Sequence, residues 1–151
     1  MYFRETTLPI PQLRGVIELV QEMPERKVEY DLEADDTPDD LVRLSKDVSL
    51  LMDGQPLNTA ITKRYDSSYE SAAYEMHKDP DRFKGRIALL SLDNSALLFR
   101  VHDEDQSIRS TLCRSGTLVL ADAAIKHWVT PPLQEGPRHF VFFGCDAQRE
   151  T

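Results

Sequence analysis

Four side chains in the second half of this 151-residue chain have the types and spacing for metal chemistry. His77 and Asp79 flank Lys78, His127 follows 48 residues after Asp79, and Arg138 stands 11 residues beyond His127. Two imidazoles and one carboxylate hold an iron(II) ion on one face and leave the opposite positions open. An arginine beyond the second histidine can grip a carboxylate through two parallel hydrogen bonds. The pieces are unequal: His-x-Asp recurs by chance, whereas His127 and Arg138 at their spacing between two strands arise by chance less often. The place of Arg138 before Phe140-Val141-Phe142-Phe143 favours an inward arginine over a surface ion pair. The chemistry depends on whether the four converge.

Convergence requires strands. On an extended segment Tyr74 and Met76 face one way and His77 and Asp79 the other, so both candidate ligands enter the same interior. The segments that must hold the rest are short, β-rich and bounded by turn residues. Strands are expected over Asn58 to Tyr65, Arg86 to Leu92, Ala96 to Val101, Ile108 to Cys113, Thr117 to Ala121, Lys126 to Thr130 and His139 to Phe143. Turns fall at Asp93-Asn94-Ser95 and Ser115-Gly116, with polar loops at His102 to Gln106 and Pro131 to Pro137.

Ahead of these, residues 1–57 read as helical. Pro11 to Glu22 repeats Leu13, Val16, Ile17 and Val20 on one helix face. Thr37 is the expected N-cap of a second helix, with Pro38 at its first position and Asp39 and Asp40 in its first turn. Leu41, Leu44, Val48 and Leu51 line its apolar side, and Gly54 with Pro56 end it. Two helices followed by about seven or eight strands make an α+β chain with a sandwich or jelly-roll core. A single domain is expected, with 1–57 as helical support covering one sheet face and 58–145 as the core.

Composition narrows the partners. Hydrophobic residues make up 40%, enough for a buried core. No apolar run approaches the roughly 20 residues of a membrane span. Met1 to Thr7 shows no apolar leader, so a cytoplasmic protein is expected. A net charge of −8 weighs against nucleic acid and anionic membranes as partners. The seven acids between Glu29 and Asp40 read as a solvated loop and a helix start. Cys113 and Cys145 lack C-x-x-C spacing and read as two buried thiols in reducing surroundings, with a disulfide between them left open.

The order of motifs carries a family resemblance. Tyr74-Glu75-Met76-His77-Lys78-Asp79-Pro80 resembles the H-x-D segment of iron(II)/2-oxoglutarate-dependent oxygenases. Ser115 to Asp122 is similar to the glycine turn and strand that precede the distal histidine there. His127-Trp128-Val129-Thr130-Pro131, then Gly136-Pro137-Arg138 and an aromatic strand, resembles that family's H-x-V-x-P…G-x-R…F ending. The resemblance covers roughly residues 58–145 and points to the prolyl-hydroxylase/AlkB-like branch. Lys63-Arg64-Tyr65 stands where that branch often has Asn-x-Tyr, and Asn94-Ser95 where Gly-Gly is usual.

The resemblance implies a double-stranded β-helix (jelly-roll) core and a dioxygenase using iron(II), 2-oxoglutarate and O2, with release of succinate and CO2. It assigns the metal to His77, Asp79 and His127, and the far carboxylate of 2-oxoglutarate to Arg138. Tyr65 or Thr130 would add a hydroxyl to that carboxylate. Asp79 fills the position that related halogenases leave to chloride, so hydroxylation of a small molecule, amino acid or peptidyl side chain is expected.

Two other functions use the same residues: a jelly-roll protein that binds metal without turnover, and a cupin-type iron enzyme that does not use 2-oxoglutarate. His102-Asp103-Glu104 is a rival H-x-E, but it lies 25 residues before His127, too close for this strand layout. His139, adjacent to Arg138, should point to the opposite side of its strand. Asp122 reads either as a partner of a ligand histidine or as a turn aspartate, and Trp128 as a core or pocket-wall residue. The sequence sets neither the oligomeric state nor the substrate.

Overall fold

The computed structural model describes residues 2–65, 81–93, 97–102, 108–130 and 137–149. The expected ligands His77 and Asp79, with the alternation of Tyr74 and Met76 and the rival Glu104, lie outside these residues. In chain order the elements are β1 (Phe3–Thr7), α1 (Ile10–Gln21), β2 (Lys27–Asp31), α2 (Asp39–Leu51), β3 (Thr59–Tyr65), β4 (Phe83–Ser91), β5 (Leu97–His102), β6 (Ile108–Cys113), β7 (Thr117–Asp122), β8 (His127–Val129) and β9 (Arg138–Asp146). A short 3-10 turn, Ala147–Arg149, follows.

Six strands pair in the order β1-β7-β4-β9-β3-β2 and three in the order β6-β5-β8. Among the described residues every pairing is antiparallel. The large sheet is apolar on both faces, and the alternation of side chains explains how. Ala88, Leu90, Leu118, Leu120, Val141 and Phe143 face the helices. Leu89, Val119, Ala121 and Phe140 face the small sheet and meet its Phe99, Val101 and Val129. A sheet covered on both sides reads as near-continuous apolar runs, as in Arg86 to Leu92 and Thr117 to Ala121. Strand β9 lies between β4 and β3, and all nine of its residues are buried.

The helices cover the outer face as expected. Leu13, Val16 and Val20 of α1 and Leu41, Leu44 and Val48 of α2 are buried at helical spacing. Burying each leucine contributes about 1.5–3 kcal/mol.

The first third departs from the sequence reading in four ways. Residues 1–57 are not only helical: β1 pairs with β7 and β2 with β3. Both strands are short, charged edges, so their pairing depends on their neighbours more than on an apolar pattern. Thr37 does not cap α2; its hydroxyl donates to the Asp31 carbonyl, and Pro38 holds the cap position without a side-chain bond. Leu51 is 39% exposed and Met52 takes the buried place. Finally, Glu29 and Asp31 are strand residues, with Glu29 paired to Arg82 and Arg149, and Asp31 to Arg149. Among the described residues no helix is long and apolar enough to cross a membrane.

Candidate active site between the two sheets

Strand β8 pairs with β5 and sets His127 opposite Val101. Alternation turns His127 and Val129 into the interior and Trp128 outward. Trp128 is half-buried, with its ring 6.4 Å from that of His102, so it belongs to neither sheet's core. His127 is 7% exposed. Its ring stacks on Phe99, with centroids 5.3 Å apart and planes inclined by 24°. Its Nδ1 lies 3.0 Å from the Ile125 carbonyl oxygen. A carbonyl only accepts, so Nδ1 carries the hydrogen, and in the neutral ring the lone pair is then on Nε2. Fixing a histidine tautomer from behind is how proteins prepare a metal ligand. Asp122 does not do this; its carboxylate accepts the Tyr2 backbone N–H at 2.8 Å.

Arg138 opens β9 in register with Tyr65 of β3, whose place is known from its backbone. The Arg138 side chain is fully buried. Its Nη2 donates to Ser91 Oγ at 2.7 Å and to the Cys113 carbonyl at 3.3 Å. The guanidinium lies 5.8 Å from the Phe140 ring centre, on the inner face. Burial pulls the Arg138 pKa down, while Asp93 and Cys113 act the other way. A guanidinium remains cationic under these conditions. The neighbouring His139 stands on the other side of the strand, with Nδ1 3.2 Å from the Asp93 carboxylate.

The Ser115-Gly116 turn locates Ser91. The Gly116 N–H donates to the Ser91 carbonyl and the Gly116 carbonyl accepts the Leu8 N–H, both at 2.8 Å. Gly116 has φ of 89°, and a Cβ there would come within 2.4 Å of the Leu8 carbonyl oxygen. Only glycine tolerates both conditions.

Strand β6 supplies the wall between the two groups. Thr111 pairs with Phe99, and Cys113 follows two residues later on the same face. Thr111 is 3% exposed, and its hydroxyl finds no hydrogen-bond partner among the described residues. Thr130 follows β8 and is half-buried. An open cavity of about 440 Å³ lies where β4 begins and β7 ends, lined by Asp81, Lys84, Asp122 and Ala124 among others. A register shift bends β4 beside it. The Ile125 N–H donates to the Asp122 carbonyl at 3.1 Å, which ties this end of the sheet to the His127 segment.

The structure therefore brings His127 and Arg138 into one interior. Among the described residues no three His, Cys, Asp or Glu side chains form a metal-holding group. Sequence reasoning missed Phe99, Ser91, Thr111 and the carbonyls of Ile125 and Cys113. An inward place in strand alternation was a usable signal for the first three. The carbonyls carry no signal in residue type.

No family model matches the chain, and no curated protein sequence does. Solved structures are similar to it. A prolyl-4-hydroxylase from Pseudomonas putida superposes with a TM-score of 0.64 at 13% identity, over 95% of this chain and 92% of that one. An oxidoreductase of the 2OG-Fe(II) oxygenase family from Burkholderia pseudomallei gives 0.68 at 15%, over 97% and 89%. Apo HygX from Streptomyces hygroscopicus gives 0.69 at 15%, over 99% and 83%. HygX is also known with iron bound. At these identities the shared property is the fold: two antiparallel sheets with two helices, in the arrangement of the 2OG-Fe(II) oxygenases.

Proposed function

We propose that this protein is an iron(II)/2-oxoglutarate-dependent dioxygenase with a double-stranded β-helix core. It would hydroxylate a small molecule, an amino acid or a peptidyl side chain. The observation that carries the reading is the joint burial of His127 and Arg138 inside the two-sheet core of an oxygenase-type fold.

The donor chemistry fits both groups. Nε2 of His127 is the lone-pair nitrogen, and imidazole suits iron(II); His77 and Asp79 would complete the set. Arg138 offers a planar fork in dry surroundings, where a charge-assisted pair with a carboxylate is strong. Tyr65 or Thr130 would support that carboxylate. Iron(II), 2-oxoglutarate and O2, when bound, supply oxidation of a substrate C–H bond, with succinate and CO2 released.

The chain's own residues hold and orient. The Ile125 carbonyl fixes the tautomer of His127, and Phe99 fixes its ring plane. Ser91 and the Cys113 carbonyl aim Arg138. Phe99, Val101, Val129 and Phe140 exclude water from the space between. The cavity beside Asp81 and Asp122 is the proposed way in for the substrate. Cys113 and Cys145 are buried and not joined in a disulfide, which suits a reducing, cytoplasmic setting.

Protein prepared without oxygen should take up about one iron(II) per chain. It should then turn 2-oxoglutarate into succinate slowly alone and faster with the right amino acid, peptide or small molecule. Iron binding that survives Asp79→Ala and His127→Ala together would refute the ligand assignment. Absence of succinate with every candidate would overturn the dioxygenase reading in favour of a metal-binding protein without turnover.

A further inference from the structure

We propose that Thr111 is a hydroxyl donor to the 2-oxo acid held by Arg138, an inference that rests on the dioxygenase reading. Three observations support it. The first is placement. Thr111 lies opposite Phe99, whose ring stacks on His127, and two residues before Cys113, whose carbonyl holds Arg138. A two-residue step along a strand keeps the same face and covers about 6.6 Å. Thr111 is thus on the interior wall between the metal side and the carboxylate side of the site.

The second is burial. On β6 Ser110 and Leu112 are exposed, whereas Thr111 and Cys113 are buried. The Thr111 side chain therefore faces the interior shared with Phe99, Val101 and Val129.

The third is the unmet hydroxyl. Its oxygen has no hydrogen-bond partner among the described residues. An unpaired hydroxyl in an apolar interior is destabilising. Valine has nearly the same shape and an equal preference for strands, so the fold gives no reason for threonine here. A polar group that breaks the local rule is expected where it serves a ligand. Carboxylate oxygens only accept, and a hydroxyl supplies the donor.

The test compares wild type, Thr111→Val and Thr111→Ser, each loaded with iron(II) without oxygen. Calorimetric titration with 2-oxoglutarate gives Kd, and thermal melting before the titration gives Tm. Thr111→Val should bind 2-oxoglutarate about tenfold more weakly or worse. Thr111→Ser should stay within about threefold of wild type, because it keeps the hydroxyl. Without 2-oxoglutarate, Thr111→Val should melt at or above the wild-type temperature, since an unpaired polar group is gone. Equal affinity of Thr111→Val and wild type would overturn the assignment while leaving the dioxygenase reading intact. Weaker binding with a lower Tm before ligand would give Thr111 a packing role and also overturn it. A wild type that binds no 2-oxoglutarate would remove the underlying reading, and this proposal with it.

Discussion

Replacing Arg138 with methionine removes the guanidinium and keeps an unbranched apolar chain in a site that is fully buried. Two consequences are separable. Without ligand, Ser91 Oγ and the Cys113 carbonyl each lose a donor, which costs about 1–3 kcal/mol per group. Against this, a cation no longer has to be held out of water, a relief of several kcal/mol. The two oppose, so Tm should move by only a few degrees. With 2-oxoglutarate nothing opposes the loss. A carboxylate entering dry surroundings without its cation forfeits about 3–5 kcal/mol, which is roughly 150- to 4,000-fold in Kd. Arg138→Lys keeps the charge and loses the fork, worth about 1.5–3 kcal/mol, or roughly 10- to 150-fold.

The assay is calorimetric titration of 2-oxoglutarate into iron(II)-loaded protein without oxygen, with iron content measured in parallel. Iron should stay near one per chain, because the assigned ligands are elsewhere. The order of affinity should be wild type, then lysine, then methionine. Binding by Arg138→Met within about threefold of wild type would refute the carboxylate role. It would point instead to a cupin-type iron enzyme that does not use 2-oxoglutarate.

Two further predictions concern titration. The hydrogen bond from Arg82, with the charges of Arg82 and Arg149, holds the Glu29 carboxyl below its ordinary value despite some burial. A lowered carboxyl stabilises the fold above its ordinary pKa, and the gain fades as pH falls through the folded value. Glu29→Gln should therefore melt lower than wild type at neutral pH, by about 1 kcal/mol or less. The two should converge in acid, and a gap independent of pH would contradict the ion-pair account. Burial pushes the Cys113 thiol up to about 12, with Arg138 pulling the other way. Iodoacetamide should alkylate Cys113 about a thousandfold more slowly in the folded than in the unfolded chain at mildly alkaline pH; fast labelling of folded protein would show that the thiol is not sealed.

Legibility followed periodicity. Strands β3 to β9 and both helices were readable because apolar residues repeat at the spacing of each element. Strands β1 and β2 were not. Val28 and Tyr30 alternate along β2, but the run of acids from Glu29 hides a two-residue signal that becomes meaningful only beside β3. Thr37 and Leu51 show the limit at helix ends, where one residue of shift exchanges a cap or a buried leucine for its neighbour.

In the site, residue type and position were legible to different degrees. Imidazole and guanidinium announce chemistry, and the adjacency of Arg138 and His139 already required opposite faces. Ser91 and Thr111 look like any strand residues until register sets them beside Phe140 and Phe99. What makes the Ile125 and Cys113 carbonyls useful is the path of the backbone, which no side-chain pattern reports.

The two described site residues are near in sequence but belong to different sheets. His127 and Arg138 are 11 residues apart, yet β8 belongs to the small sheet and β9 to the large one. Their meeting depends on the two sheets closing over a common core, in which Phe140 of β9 packs with Phe99 and Val129. Arg138 itself spans that closure, donating to Ser91 on the large sheet and to Cys113 on the small one. A charge placed there is poorly suited to stabilising a core, since its burial opposes folding. It is well suited to the proposed ligand, which would span both sheets with one end at the arginine and the other toward His127. The buried arginine, more than any single motif, is therefore what supports the proposed binding of 2-oxoglutarate.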